Sequence, residues 1–346
     1  MACTHAYLER CFLHFAKVCS GSSPLYAGLS RRVAGDSEIR ALASGGRARQ
    51  PPPNLLLGAV HDLLLRGTQH ALREFYPSVG GHGNARRAYP LFADFCRRFE
   101  QPIVEIVAAR RVQTNEVGRC GMLLPAFSLA WERHGRQPLH LIEVGASAGL
   151  NLLFDRYHYE YSDGRCCGPR SPARIRVELR GRRACPVPKT MPRVRDRIGI
   201  DIAPINVRDA DAVRWLKALI WPDQLQRIEL FRAAITRARL APPRVITGDA
   251  LHVLPRVVAA APRDVLVCVF HSHSIYQMTS AWRRAFERLI AELGRTRDLV
   301  HISLEWLKDD PGPRLHLTDC SGRERRREHL ADCHHHGSWL RWVARA

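Results

Sequence analysis

The 346-residue chain is 46% apolar and 25% charged, which places it among globular proteins and away from disordered ones. Its longest apolar run, Leu55 to Leu65, is interrupted by His61 and Asp62 and falls short of the ~20 residues of a membrane span. Fifty-three basic residues against 33 acidic ones leave a net charge of +20, and Lys stands only at 17, 189, 217 and 308, so almost the whole excess is Arg.

That charge has two readings. It points to nucleic acid or another polyanion, or it reflects an Arg-rich composition spread over a solvated surface. Eleven Cys, an odd number without CxxC pairs, predict reduced thiols rather than a disulfide framework. Glu9 within the N-terminal apolar stretch argues against a secretory signal. A cytoplasmic protein without a membrane partner is therefore expected.

Residues 1–137 read as a helical domain. Ala6–Val18, Leu91–Phe99 and Ile103–Arg111 carry apolar residues at helical spacing, and Asn54–Arg66 is apolar almost throughout, as a buried helix would be. Pro51-Pro52-Pro53 and the Gly-rich Pro77–Gly83 segment separate them. Gln113–Arg119 opens the next helix, with Thr114 or Asn115 as its cap. Asn115, Glu116 and Arg119 also form a polar cluster that could close over a ligand.

From residue 138 to 346 the pattern alternates. Short, largely β-branched runs at Leu139–Val144, Ile198–Ile202, Arg244–Thr247, Asp264–Phe270 and Asp298–Leu304 predict strands. Helical patterns fall at Leu150–Phe154, Ala210–Ile220, Asp223–Arg239 and Ala281–Leu293. This order implies an α/β domain with a doubly wound, mainly parallel, Rossmann-like sheet. Leu315–Thr318 and Trp339–Val343 are expected to close it as an antiparallel hairpin. A basic insert at about 158–197 interrupts the series. Within it, Gly164–Arg197 holds eleven Arg or Lys against Glu178 and Asp196. It is either a solvated insert or a basic wall for an anionic substrate.

The most informative string is Leu141–Asn151, LIEVGASAGLN, a strand, a small-residue turn and a helix start. Two chemistries use such a turn. A cofactor can approach the backbone at a helix N-terminus, where free N–H groups point outward. Alternatively, Gly145-Ala146-Ser147-Ala148-Gly149 is G-x-S-x-G, the nucleophile elbow of α/β-hydrolases, with Ser147 as nucleophile. A hydrolase needs several strands before its elbow, and helical patterns stand there instead.

Glu143-Val144-Gly145 followed by Gly149 resembles the first motif of class I S-adenosylmethionine-dependent methyltransferases, with Ser147 in place of the middle glycine. Asp201, after Ile198-Gly199-Ile200, resembles the acid that takes the ribose hydroxyls. Asp249 and Ala250 resemble the pair that faces the adenine. Either Asp can equally serve as the N-cap of the next helix. Gly149 and Asp201 lie 52 residues apart, where roughly 20 is usual. The resemblance implies S-adenosylmethionine as cofactor, held by Asn115, Glu116, Glu143, Gly145, Ala146, Ser147, Gly149, Asn151, Asp201, Asp249 and Ala250.

Catalytic candidates lie past the fourth and fifth strands. His271 and His273, at alternate positions of an extended segment, are expected to point the same way and offer a general base. Tyr276 follows them. Glu305 ends the fifth strand as a second acid, or as a surface salt bridge. Two His without a third ligand nearby predict no metal. His334-His335-His336 reads as surface, Cys166-Cys167 as geometrically poor for a disulfide, and Arg323–Glu328 as a solvated helix or turn.

Over nearly its whole length the chain resembles a bacterial family catalogued as domain of unknown function 2332. The resemblance rests on Ser23-Pro24-Leu25-Tyr26, Gln113–Cys120, Glu143–Tyr157, Gly199–Pro204, Trp221–Gln224 and Gly248-Asp249-Ala250. It implies a methyltransferase-like α/β fold with a helical N-terminal portion, and no settled reaction. The leading expectation is a methyltransferase-like enzyme acting on a small or anionic substrate. The alternatives are a serine hydrolase using Ser147 and a non-catalytic, Arg-rich nucleic-acid-binding protein. Nucleic acid is the less favoured partner, because few aromatics accompany the basic insert.

Overall fold

A computed structural model describes residues 5–307, 310–322 and 325–344. Its contacts divide into two compact units, Met1–Thr114 with Asp209–Glu229, and Asn115–Arg208 with Leu230–Ala346. The sequence reading placed a single boundary at 137/138. The contacts instead group 115–137 with the sheet and 209–229 with the helices.

The regular elements of the first unit are all helices among its described residues. It contains α1 (His5–Cys19), α2 (Pro24–Gly35), α3 (Ser37–Ala41), α4 (Pro52–Leu65), α5 (Tyr89–Arg98), α6 (Glu100–Ala109) and, from the second segment, α8 (Ala210–Ala218). Local chemistry sets the ends. Ser23 accepts the Tyr26 N–H to cap α2, and prolines occupy the first turn of α4, where a missing N–H costs nothing. Phe12, Leu56, Val60, Phe92, Phe95, Trp215 and Leu219 share one core. Asp62, with no exposed surface, is paired with Arg66 and Arg214.

The second unit is mixed α/β, built on one large, mostly parallel sheet of eleven strands. In chain order these are β1 (Leu139–Val144), β2 (His158–Tyr161), β3 (Cys166–Cys167), β4 (Arg174–Arg180), β5 (Val194–Asp201), β6 (Arg244–Thr247), β7 (Leu266–Ser272), β8 (Leu299–Glu305), β9 (Arg314–Asp319), β10 (Arg326–Cys333) and β11 (Trp339–Trp342). They lie in the order β3-β2-β4-β11-β10-β9-β8-β7-β1-β5-β6. β6, β5, β1, β7 and β8 are all parallel, and β9, β10 and β11 continue as an antiparallel meander. Every residue of β1 and β7 is buried, as both faces of a central parallel strand must be.

One face is covered by α7 (Cys120–Arg133), which packs on β4, β8 and β9. Phe127 stacks on Phe154 at 4.4 Å and meets Phe270 edge-on at 5.1 Å. Val177 of β4 approaches Gly121 so closely that a Cβ there would lie 2.3 Å from it. The other face carries α10 (Ala250–Ala260) and α11 (Ser280–Gly294), whose Val253, Leu254, Phe286 and Ile290 cluster with Ile142, Val144, Val267 and Val269. Each such side chain contributes about 2 kcal/mol by leaving water. The remaining helix is α9 (Leu225–Leu240).

Several expectations change. β9 and β11 do not pair, because β10 runs between them. Arg326–Glu328 is therefore strand, not helix or turn, while Arg323 and Glu324 lie outside the described residues. Leu150–Arg156 is a 3-10 helix, and the long gap before Asp201 is spent on β2, β3 and β4. Several arginines of that insert are engaged in ion pairs. β4 alternates exposed Arg174 and Arg176 with buried Ile175 and Val177, and both arginines pair with Glu160. Arg165 pairs with Asp163, Arg180 with Glu178, and Arg197 with Asp155. None of the ten described cysteines is in a disulfide, and no described helix is long and apolar enough to cross a membrane.

Candidate functional site

Five parallel strands deliver their carboxyl ends to one edge, where doubly wound sheets hold ligands. β1 runs into Gly145, Ser147 and Gly149, all with positive φ (76°, 52° and 70°). The turn is fastened from the neighbouring strand. Ile200 O accepts the Gly145 N–H at 2.8 Å, and Asp201 Oδ2 accepts the Ser147 N–H at 2.8 Å. The other Asp201 oxygen accepts the Ala203 N–H at 2.8 Å. Ala146 is fully buried, and a Cβ on Gly199 would lie 2.7 Å from its side chain.

Strand alternation then sorts the candidates between the two faces of the sheet. Glu143, in register with Phe270, faces the α7 side. Its Oε1 accepts from Asn151 Nδ2 at 3.0 Å, while Oε2 is buried without a hydrogen-bond partner. Asn151 also receives the Cys120 thiol, and Asn115 Oδ1 accepts the Leu150 N–H at 3.0 Å. Asn115 thus ties down the turn instead of capping a helix. The capping side chain before α7 is Glu116, which accepts the Gly118 N–H. Arg119 donates to Ser272 O at 3.2 Å and to His335 O at 3.0 Å. The 115–119 segment is therefore pinned at several points across the strand ends.

Burial, opposed by the Asn151 hydrogen bond and reinforced by Asp201, pushes the Glu143 carboxyl up to about 8. The sign follows from linkage. An acid whose folded value exceeds its unfolded one stabilises the fold below the unfolded value and loses that contribution as pH rises through the folded value. Burial displaces His61, His273 and His301 downward, so those groups act below their ordinary value of 6.5. Between about pH 6.5 and 8 the Glu143 effect is left, and stability should fall as pH rises, by at most about 1.4 kcal/mol per unit. Urea midpoints across this window test it. Glu143→Gln should flatten the slope, and an unchanged slope in that variant refutes the assignment.

His271 faces the opposite side, toward α11. Its Nδ1–H donates to Glu305 Oε1 at 2.7 Å, and its Nε2 lies 2.9 Å from His301 Nε2. Glu305 is 3% exposed, so it is no surface salt bridge. Its carboxylate also accepts the N–H groups of Ser274, Ile275 and Tyr276. His301 was missed, although the signal was present. It shares the parity of Glu305 on β8, and β7–β8 pairing sets His271 opposite Ser303 of the same row.

His273 does not follow His271. β7 ends at Ser272, and φ of +48° at His273 breaks the alternation. Burial, with Arg119 and the neighbouring imidazoles, holds its ring neutral far below the usual histidine range, and its Nε2 is buried without a partner. Tyr276 is 48% exposed beside it. Asp249 caps α10 through the Leu251 N–H and accepts the Trp282 indole N–H at 3.0 Å, with Ala250 buried as the first residue of that helix. His334, His335 and His336 are half-buried in the β10–β11 turn, their rings within 6 Å of one another, and Gly118 lies against His336 O. No group of three or more potential metal ligands occurs among the described residues.

A sequence profile of the family described as "Uncharacterized protein conserved in bacteria (DUF2332)" matches residues 9–342. Among curated proteins, none matches the chain.

Proposed function

The chain belongs to the bacterial family DUF2332, and within it we propose an S-adenosylmethionine-binding, methyltransferase-like enzyme acting on a small or anionic substrate. One observation carries this reading. The positive-φ turn Gly145–Gly149 stands between Glu143, a buried acid with one oxygen unpartnered, and Asp201 at the end of the adjacent parallel strand. Numbered in chain order, the parallel strands run 3-2-1-4-5, an order that opens a crevice beside strand 1 in nucleotide-binding sheets.

The residues present suit the cofactor. Buried polar atoms are normally paired, so Glu143 Oε2 and Ser147 Oγ, both partnerless, are groups a polar ligand would satisfy. Ile202, 59% exposed directly after Asp201, offers an apolar face to an adenine beside an acid for the ribose. On the α7 side Asn115 accepts the Leu150 N–H at the end of the turn, Asn151 donates to Glu143 and Glu116 accepts the Gly118 N–H, while Asp249 with Ala250 forms the next strand's contribution. When bound, the cofactor supplies an electrophilic methyl group on sulfonium sulfur. The protein's part is to orient the acceptor and exclude water.

Isothermal titration of S-adenosylmethionine and S-adenosylhomocysteine tests the reading. Both should bind, and Asp201→Ala should weaken both at least tenfold. Absence of binding to the folded wild-type protein overturns it.

The serine-hydrolase alternative finds little support. Ser147 Oγ has no imidazole within hydrogen-bond reach. A Ser–His contact does occur in the helical unit, where His61 Nε2 lies 2.7 Å from Ser78 Oγ, but burial pushes that imidazole down to about 3, too weak a base to activate a hydroxyl. A fluorophosphonate should label neither serine. Stoichiometric labelling of Ser147 would establish the hydrolase instead.

A further inference from the structure

Building on the methyltransferase-like reading, we propose that the methyl acceptor is a small planar aromatic molecule with a phenolic hydroxyl. Its ring lies against Tyr276 and Trp306, and its oxygen against His273 Nε2.

The rim supplies the first argument. Seven large apolar side chains are exposed among the described residues, and three of them, Ile202, Tyr276 and Trp306, follow closely on the carboxyl ends of β5, β7 and β8. Ile202 stands on the cofactor side, next to Asp201. Trp306 is fixed by its indole N–H to Asp310 O at 3.1 Å and lies 6.4 Å from the His335 ring. Tyr276 meets His273 nearly edge-on at 6.3 Å. Arg119 links the two halves, since it donates to His335 O and Ser272 O while its charge is felt at both His273 and Tyr276. Exposed aromatic rings held in place suit a flat apolar ligand.

The second argument is chemical. His273 Nε2 is a buried ring nitrogen without a partner, on a residue whose backbone is forced to positive φ. Strain of this kind persists where surrounding structure enforces it and concentrates at functional positions. A neutral imidazole nitrogen is an acceptor for a hydroxyl hydrogen. Glu305 is already engaged by three N–H groups and His271, while Arg119 and the imidazoles of His334 and His335 adjoin. This charge pattern disfavours an ammonium acceptor and favours a hydroxyl, whose oxygen carries negative charge once its proton is lost.

The balanced step is a displacement. The phenolic oxygen attacks the methyl carbon of the sulfonium donor, a C–O bond forms, and the C–S bond breaks with its electron pair left on sulfur as a neutral thioether. His273 Nε2 accepts the hydrogen bond that orients the hydroxyl, and the hydroxyl proton leaves to solvent water.

The probes are 4-nitrophenol and 4-nitroanisole, which share the ring and differ in the hydroxyl, titrated calorimetrically with and without S-adenosylhomocysteine. The phenol should bind at least tenfold more tightly than the ether. His273→Leu should bring the two to parity, and Trp306→Ala should weaken both about tenfold. Equal affinity of the two probes in the wild type, or an undiminished ratio in His273→Leu, overturns the proposal. So does S-adenosylhomocysteine binding without saturable probe binding, which leaves the cofactor reading standing. Probe discrimination in a protein that binds no S-adenosylhomocysteine upholds the aromatic site and overturns the cofactor reading.

Discussion

Replacing Glu305 by Ala should cost the sheet-containing unit about 4 kcal/mol, among the largest effects expected of one substitution. The carboxylate receives the N–H groups of Ser274, Ile275 and Tyr276 and the Nδ1–H of His271, at a position 3% exposed. Removing it strands four donors, and each buried orphan costs about 1–3 kcal/mol, less whatever entering water recovers. Glu305→Gln keeps the volume and one carbonyl acceptor, so about half the loss is expected. Urea denaturation measures both. An alanine variant within about 1 kcal/mol of wild type would show that the loop does not depend on this carboxylate.

Gly145→Ala should be nearly as damaging, for a reason the sequence did not disclose. The glycine was expected to clear space for a ligand. Its closest neighbour is instead Ser274, whose Cβ would stand 2.4 Å from a Cβ at 145. Positive φ adds about 1 kcal/mol for any residue with a side chain, and the overlap brings the expected loss to about 3 kcal/mol. Ser274→Gly alone forfeits only the hydrogen bond from its hydroxyl to Val144 O, about 1 kcal/mol. Combined, the two changes should cost clearly less than their sum, because the second removes the atom the first strikes. Simple additivity in thermal unfolding contradicts this packing account.

What could be read from the residues was what local rules govern. The apolar runs that became β1 and β5–β8, the continuous apolar stretch that became α4, and the amphipathic stretches that became α1, α5 and α6 carry their signal within ten or fifteen residues. Asp249 was legible as a cap for the same reason. Most of the failures were non-local. Nothing near Leu315 or Trp339 announces that β10 will separate them, and nothing near Arg174 announces that β4 will join the sheet beside β11. His271 and His273 look equivalent until one residue of positive φ, held by its surroundings, divides them. The partners of Glu305 lie 29 to 34 positions earlier in the chain, so nothing near it tells a buried acid at the mouth of the sheet from a surface salt bridge.

The sheet also ends in a way that bears on how copies of the chain meet. Its outermost strands are short, with only Cys166–Cys167 at one side and Arg244–Thr247 at the other. An unpaired border of that length offers few main-chain groups to a visiting strand, and basic residues (Arg165 and Arg244) begin or directly precede each of them. Eleven strands with long flat borders would invite fibrillar stacking. Tapered to two and four residues, this sheet resists growth by strand addition, so copies in solution should associate, where they do, through side-chain surfaces rather than by extending the ladder.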